Sequence, residues 1–261
     1  MTRPSAVEQF DRIWREVKAN PVVFLDYDGT LTPIVERPEA AVLAEETRAV
    51  LRLLAQRSPV AVVSGRDLAD VRQRVDIPGI HYAGSHGFDI AGPNGEHVHG
   101  QALAATPQLR AAAEELARET ARVAGVQLER KRFSLAVHYR RAREADVPAI
   151  EAAVDRARAR HPGLRKTHGK KVLQLQPDVA WDKGRAVLWL LGALGLENEN
   201  VRPIYIGDDV TDEDAFRALR GRGISIAVQE APGETAAQLT LRDPDEVREF
   251  LARLARSLAE R

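Results

Sequence analysis

The apolar, β-branched run Pro21–Leu25 stops abruptly at Asp26-Tyr27-Asp28-Gly29-Thr30-Leu31-Thr32, and this stretch constrains the fold more than any other. A run so short and so apolar reads as a strand buried on both faces, the condition of a parallel sheet covered by helices. Such sheets bind ligands in the crevice beyond the carboxyl ends of their strands. Asp26 is therefore expected to face that crevice.

Two carboxylates one residue apart repel each other in a partly dry site, so a cation or a proton must offset the pair. Mg²⁺ is the natural candidate: it is hard and small, prefers oxygen, and needs only one or two carboxylates when water and a substrate phosphate complete its shell. An Asp-Gly pair taken alone also reads as an ordinary turn. The longer run is far more specific.

The alternation that follows supports a parallel sheet. Residues 45–56 carry apolar positions at helical spacing, 59–63 form an apolar strand ending at Ser64-Gly65-Arg66, 68–75 suggest a helix, and a short strand lies near 80–83. After a gap, 183–194 read as helix, 203–206 as a strand ending at Gly207-Asp208-Asp209, 212–219 as helix and 224–228 as strand. Residues 106–176 have another rhythm: helix over 107–123, a hairpin around Arg130-Lys131-Arg132, helix over 148–160, and a second hairpin around His168-Gly169-Lys170. The expected fold is α/β: a doubly wound, mainly parallel core from 1–105 and 177–261, interrupted by an inserted α+β cap over 106–176. Hinges are expected near 100–107 and 177–180.

Composition narrows the partners. Thirty-eight basic residues balance thirty-eight acidic ones among 261, so no net field points to nucleic acid or to an anionic membrane surface. A compact anionic small molecule needs only a local basic cluster. The absence of cysteine removes disulfides, thiolate nucleophiles and cysteine-bound metals. The first eighteen residues mix charges among apolar positions, unlike a secretory signal. The longest strongly apolar stretch, 187–194, falls far short of the roughly twenty residues that span a bilayer. A cytoplasmic protein is expected.

Four places lie at predicted strand ends or helix starts: 26–30, 64–66, Trp181-Asp182-Lys183-Gly184, and 208–214 with five acids in seven residues. Capping by Thr211 or Asp212 and a favourable helix dipole explain part of the last run. They do not explain two acids directly after an apolar strand, so Asp208 reads as a cation ligand, and Asp212 and Asp214 as structural. Lys183, in a first helical turn where a cation is electrostatically unfavoured, calls for a functional reason. His97 and His99 read as part of a surface hairpin, because no third zinc ligand accompanies them.

Asp-x-Asp-Gly-Thr-Leu, then Ser-Gly-Arg, then a later Lys, then Gly-Asp-Asp-x-Thr-Asp-Glu-Asp resembles, in that order, the haloacid dehalogenase superfamily of phosphotransferases. Tyr82-Ala83-Gly84-Ser85-His86-Gly87, Val137-His138-Tyr139-Arg140, Gly169-Lys170-Lys171-Val172 and Trp181-Asp182-Lys183-Gly184 resemble its trehalose-6-phosphate phosphatase family, with matches from about Val22 to Phe216. The resemblance implies Asp26 as nucleophile, Asp28 as general acid and base, and Lys183, Thr30, Ser64 and Gly65 around the phosphate. It implies Mg²⁺ on the carboxylates of Asp26 and Asp208 and the backbone carbonyl of Asp28, with Asp209 in support. Glu129, Lys131, Arg140, Lys170 and Gln174 of the cap would meet the sugar. The family usually carries Glu in the strand after its Gly-Lys pair, where this chain has Gln174.

The implied reaction is Mg²⁺-dependent hydrolysis of trehalose 6-phosphate to trehalose and phosphate through an aspartyl-phosphate. Sucrose phosphate or a glycosyl-glycerate phosphate are rival substrates. A signalling receiver domain also carries a phosphorylated Asp and a Lys on an α/β sheet, but it needs neither a leaving-group acid nor a cap.

Overall fold

The computed structural model describes residues 3–17, 20–169, 171–198 and 200–260. Two compact units emerge, one from Met1–His97 with Trp181–Arg261 and one from Val98–Ala180.

The first unit is built on an eight-stranded sheet. Its strands are β1 (Pro21–Leu25), β2 (Val60–Val63), β3 (His81–Gly84), β4 (Asp89–Gly92), β5 (Gly95–Val98), β10 (Arg202–Gly207), β11 (Ile224–Val228) and β12 (Leu239–Leu241), in the order β12-β11-β10-β1-β2-β3-β4-β5. Pairing is parallel from β12 to β3 and turns antiparallel at β4. The chain leaves β1 toward β2 on one side and returns to β10 on the other, which makes the carboxyl ends of these three strands the topological switch point.

Every residue of β1 is buried. Alternation sends Val23 and Leu25 to one face and Val22 and Phe24 to the other. The first face is covered by α1 (Phe10–Val17), α2 (Glu45–Ala55), α3 (Leu68–Val75) and α8 (Pro244–Ala259). The second is covered by α6 (Lys183–Ala193) and α7 (Asp212–Ala218). This is the expected doubly wound, mainly parallel α/β fold.

The second unit packs α4 (Gly100–Thr120) and α5 (Val147–Arg160) on one face of a four-stranded antiparallel sheet. Its strands are β6 (Gln127–Arg130), β7 (Leu135–His138), β8 (Leu164–Gly169) and β9 (Val172–Pro177), in the order β6-β7-β9-β8. Leu135, Val137, Leu173 and Leu175 face the helices. The register aligns Glu129, Ala136, Gln174 and Thr167 in one row across all four strands, so they share the opposite face.

One expectation fails here. Residues 100–107 are helical, and Pro107 lies inside α4. Proline has no N–H for the Leu103 carbonyl one turn back, but the Thr106 hydroxyl donates to that carbonyl at 2.8 Å. The helix therefore continues through the proline and begins at Gly100, with the His99 side chain accepting from Ala102 N at the cap.

Candidate active site

Asp26 directly follows β1, where its N–H donates to Ile206 O of β10 at 2.9 Å. The next four residues turn sharply. Gly29 N donates to Thr32 O, and Gly29 has φ +83°; a Cβ there would stand 2.1 Å from Asp208 Oδ2. Only glycine allows the loop after β1 to approach the Asp208 carboxylate so closely. Thr30, fully buried, donates its hydroxyl to Asp208 Oδ1 at 3.3 Å.

Lys183 opens α6 behind the Asp182 cap, whose carboxylate accepts from Arg185 N at 2.8 Å. A buried cation at the positive end of a helix is unfavourable unless paired. Its Nζ lies 2.7 Å from Asp26 Oδ1 and 2.8 Å from Asp212 Oδ1. Burial opposes the lysine's charge, but the two carboxylates outweigh it and hold its pKa above the ordinary lysine range.

The sequence reads Asp212 as structural, with a cap or dipole role at the start of α7. Instead it is fully buried and turned inward: Oδ1 also accepts from the Tyr205 hydroxyl at 2.6 Å, and Oδ2 accepts from the backbone N–H groups of Asp208 and Asp209 at 3.1 and 3.0 Å. Acids in a first helical turn look alike in sequence. Only the fold reveals that this one meets a lysine twenty-nine positions earlier.

The carboxylates of Asp26, Asp208 and Asp212 lie within 4.8 Å of one another. Three acids face one lysine, so the cluster carries excess negative charge. Burial, together with repulsion from Asp212 and Asp208, raises the Asp26 pKa well above the usual carboxylate range, against the pull of Lys183. Burial and its acidic neighbours push Asp208 up to about 6. Hard oxygen donors with uncompensated charge suit a divalent cation such as Mg²⁺. Asp212 already meets four donors, which leaves Asp26 and Asp208 as the carboxylates with capacity for metal.

The Asp28 carboxylate belongs to a different constellation. It is half-exposed and meets Arg66. Ser64 follows β2; its hydroxyl accepts from Arg66 N at 3.1 Å, an arrangement that leaves the hydroxyl proton available to an anion. A Cβ on Gly65 would stand 2.7 Å from the His86 ring, so any side chain there would have to displace that ring. Asp209 is exposed, and its carboxylate accepts from Val210 N at 2.7 Å.

In the second unit, Glu129 accepts from or pairs with His138 Nε2 at 2.9 Å and lies 3.5 Å from Lys131 Nζ. Burial works to raise the Glu129 pKa, but these partners hold it below the usual range. Gln174 is half-buried on the same sheet face, and Arg140 is exposed beyond β7. Lys170 lies outside the described residues. His97, on β5, stacks on Trp189 at 4.2 Å between ring centroids.

The family model described as trehalose-phosphatase matches residues 24–246. A trehalose-phosphate phosphatase of Mycobacterium tuberculosis is 49% identical over 249 residues, covering 94% of this chain and 63% of that protein. The chain thus spans less than two thirds of that relative. The structure of trehalose-6-phosphate phosphatase from Aspergillus fumigatus aligns with TM-score 0.71 and 28% identity, covering 98% of this chain and all of the other. A haloacid dehalogenase-like hydrolase from Bacteroides thetaiotaomicron aligns with TM-score 0.64 at 16% identity, covering 90% of this chain and 99% of the other, which shows the shared fold.

Proposed function

Since the chain belongs to the trehalose-phosphatase family, we propose that it hydrolyses trehalose 6-phosphate to trehalose and inorganic phosphate, with Asp26 as the covalent nucleophile. The observation that carries this reading is the buried Lys183 held between Asp26 and Asp212 at the switch point of the sheet.

Phosphate-monoester hydrolysis is so slow uncatalysed that accelerations approach about 10²¹-fold. Splitting it into two displacements lowers each barrier. In the first, an Asp26 oxygen bonds to phosphorus as the bond from phosphorus to the sugar oxygen breaks, and Asp28 gives that oxygen a proton. In the second, Asp28 takes a proton from water as the water oxygen bonds to phosphorus and the Asp26 bond breaks, restoring the carboxylate and releasing phosphate. Lys183 fixes the Asp26 carboxylate, while Ser64, Thr30 and the backbone amide of Tyr27 cradle the phosphoryl oxygens; the Gly29 amide is already committed to Thr32 O.

Asp26, Asp208 and the backbone carbonyl of Asp28 would hold Mg²⁺, with Asp209 in support. When bound, the ion supplies neutralisation of charge developing on the transferring phosphoryl group. Glu129, Lys131, Arg140 and Gln174 of the second unit are the proposed contacts for the sugar, together with Lys170, which lies outside the described residues. A cytoplasmic location is consistent with a substrate of this kind, and no helix among the described residues is long and apolar enough to cross a membrane.

Gln174 keeps a second reading in play. It shares a cross-strand row with Glu129 and carries no charge, so it accepts a weaker bond from a sugar hydroxyl than Glu would. Another sugar phosphate, such as sucrose phosphate or a glycosyl-glycerate phosphate, is the alternative. Phosphate release across this panel, with Mg²⁺ and with a chelator, tests both readings. Preference for trehalose 6-phosphate that vanishes on chelation is expected; preference for another member overturns the substrate, and full activity in chelator overturns the metal.

A further inference from the structure

We propose that Arg66 is a positioning residue for proton transfer: it holds the Asp28 carboxylate in a bidentate grip, on a loop braced by the strained turn at Ser85 and His86. This rests on the reading of Asp28 as the acid and base.

Asp28 is the half-exposed member of the acidic pair, yet both of its oxygens are fixed. Arg66 Nε donates to Oδ2 at 2.7 Å and Nη2 donates to Oδ1 at 2.6 Å. The planar guanidinium matches a carboxylate in this paired geometry and sets its plane, which a lysine cannot do. The grip is itself anchored from behind. Arg66 is buried, and its Nη1 donates to Asp70 Oδ2 at 2.8 Å while Nη2 also donates to Pro38 O at 2.7 Å. Asp70 in turn accepts from Arg74 Nε at 2.8 Å, and Arg74 donates to Ala41 O at 2.9 Å. Arg66 is thus positioned by contacts that do not involve Asp28.

The backbone is held as firmly. Ser85 and His86 have φ of 50° and 59°, a left-handed conformation that costs a residue with a side chain about 1–2 kcal/mol. Two such residues in succession aim their N–H groups at one loop: Ser85 N donates to Arg66 O at 2.6 Å and His86 N donates to Ser64 O at 2.9 Å. Strain of this sort persists where the surroundings over-determine it, and it concentrates at functional sites. Here it fixes the segment from which Ser64 would reach the phosphate and Arg66 reaches the acid. One short loop thereby sets phosphate and the Asp28 carboxylate relative to each other.

Leaving-group dependence separates this role from a merely structural ion pair. Departure of an alkoxide from a sugar phosphate requires a proton; departure of p-nitrophenolate, already a weak base, does not. In Arg66→Met, kcat/KM, which reports the first displacement alone, is expected to fall about 10²-fold for the best sugar phosphate of the panel and by less than about threefold for p-nitrophenyl phosphate. Arg66→Lys, which keeps charge but not the fork, is expected to recover little. Asp28→Ala should show the same selectivity in kcat/KM, while its kcat falls on both substrates because the second displacement is shared, and Arg66→Met added to it should cost nothing further in kcat/KM on the sugar phosphate.

If Arg66→Met folds poorly, Asp70→Asn removes only the anchor and should give a smaller loss confined to the sugar phosphate. Equal losses in kcat/KM on both substrates, or full additivity with Asp28→Ala, overturn the proposal. The two readings fail separately: Asp28→Ala losing equally in kcat/KM on both substrates refutes the acid assignment, whereas a selective Asp28→Ala beside a non-selective Arg66→Met refutes only the grip.

Discussion

Lys183 Nζ stands 2.7 Å from Asp26 Oδ1 at the amino end of α6, where the helix dipole disfavours a cation. Two buried carboxylates reverse that preference, and the same contacts orient the proposed nucleophile. Lys183→Met would leave Asp26 and Asp212 buried without their cation. Removing one partner of a buried pair costs about 3–5 kcal/mol, so denaturant unfolding should show a loss of this size in chelator and a smaller one with Mg²⁺. An unchanged midpoint would show that the pair contributes nothing net.

The acidic cluster links metal binding to pH. Asp208 has its pKa raised to about 6 by burial and by Asp212 and Asp209, and Asp26 is raised for the same kind of reason. A raised folded pKa means that the folded protein binds the proton more tightly than the unfolded chain. The stability this supplies is complete below the unfolded carboxylate range and is lost as pH rises through about 6. A divalent cation replaces the proton, so the gap in Tm between Mg²⁺ and chelator should widen between about pH 5 and about pH 7. A constant gap would detach these carboxylates from the metal.

Gly29 ties the loop after β1 to Asp208. With φ at +83° and Asp208 Oδ2 only 2.1 Å from the position of a Cβ, Gly29→Ala should destabilise the protein by about 1–3 kcal/mol and weaken Mg²⁺ affinity by displacing Asp208. Isothermal titration with Mg²⁺ beside a thermal melt separates the two effects. Loss of stability with unchanged affinity would place the metal away from Asp208.

Gln174→Glu restores the residue usual in the family at a position sharing a row with Glu129. Charge-assisted bonds to hydroxyls are roughly twice as strong as neutral ones, so kcat/KM for trehalose 6-phosphate should rise several-fold relative to sucrose phosphate. An equal change for both substrates would remove Gln174 from recognition of the sugar.

What was legible in the chain follows its local physics. β1 declared itself because five consecutive apolar residues admit burial on both faces, and Asp26, Ser64 and Asp208 followed from its parallel neighbours. Pro107 misled because a proline usually marks a helix start, whereas here Thr106 supplies the missing donor inside α4. The short β12 carries too few residues to signal itself, and of the β4–β5 hairpin only the stretch around His97 was legible, with His99 capping α4 instead. Asp212 hid among first-turn acids. The grip of Arg66 on Asp28 joins residues thirty-eight positions apart, and no local pattern encodes it.

The central claim is that Asp26 becomes phosphorylated during turnover. Acid-quenched single turnover with Mg²⁺ and trehalose 6-phosphate, followed by peptide mass spectrometry, tests it most directly. One transient phosphoryl group on the Asp26 peptide, absent from folded but inactive Asp26→Asn, is predicted. Turnover without a phosphorylated Asp26, or substantial activity in Asp26→Asn, would contradict the account.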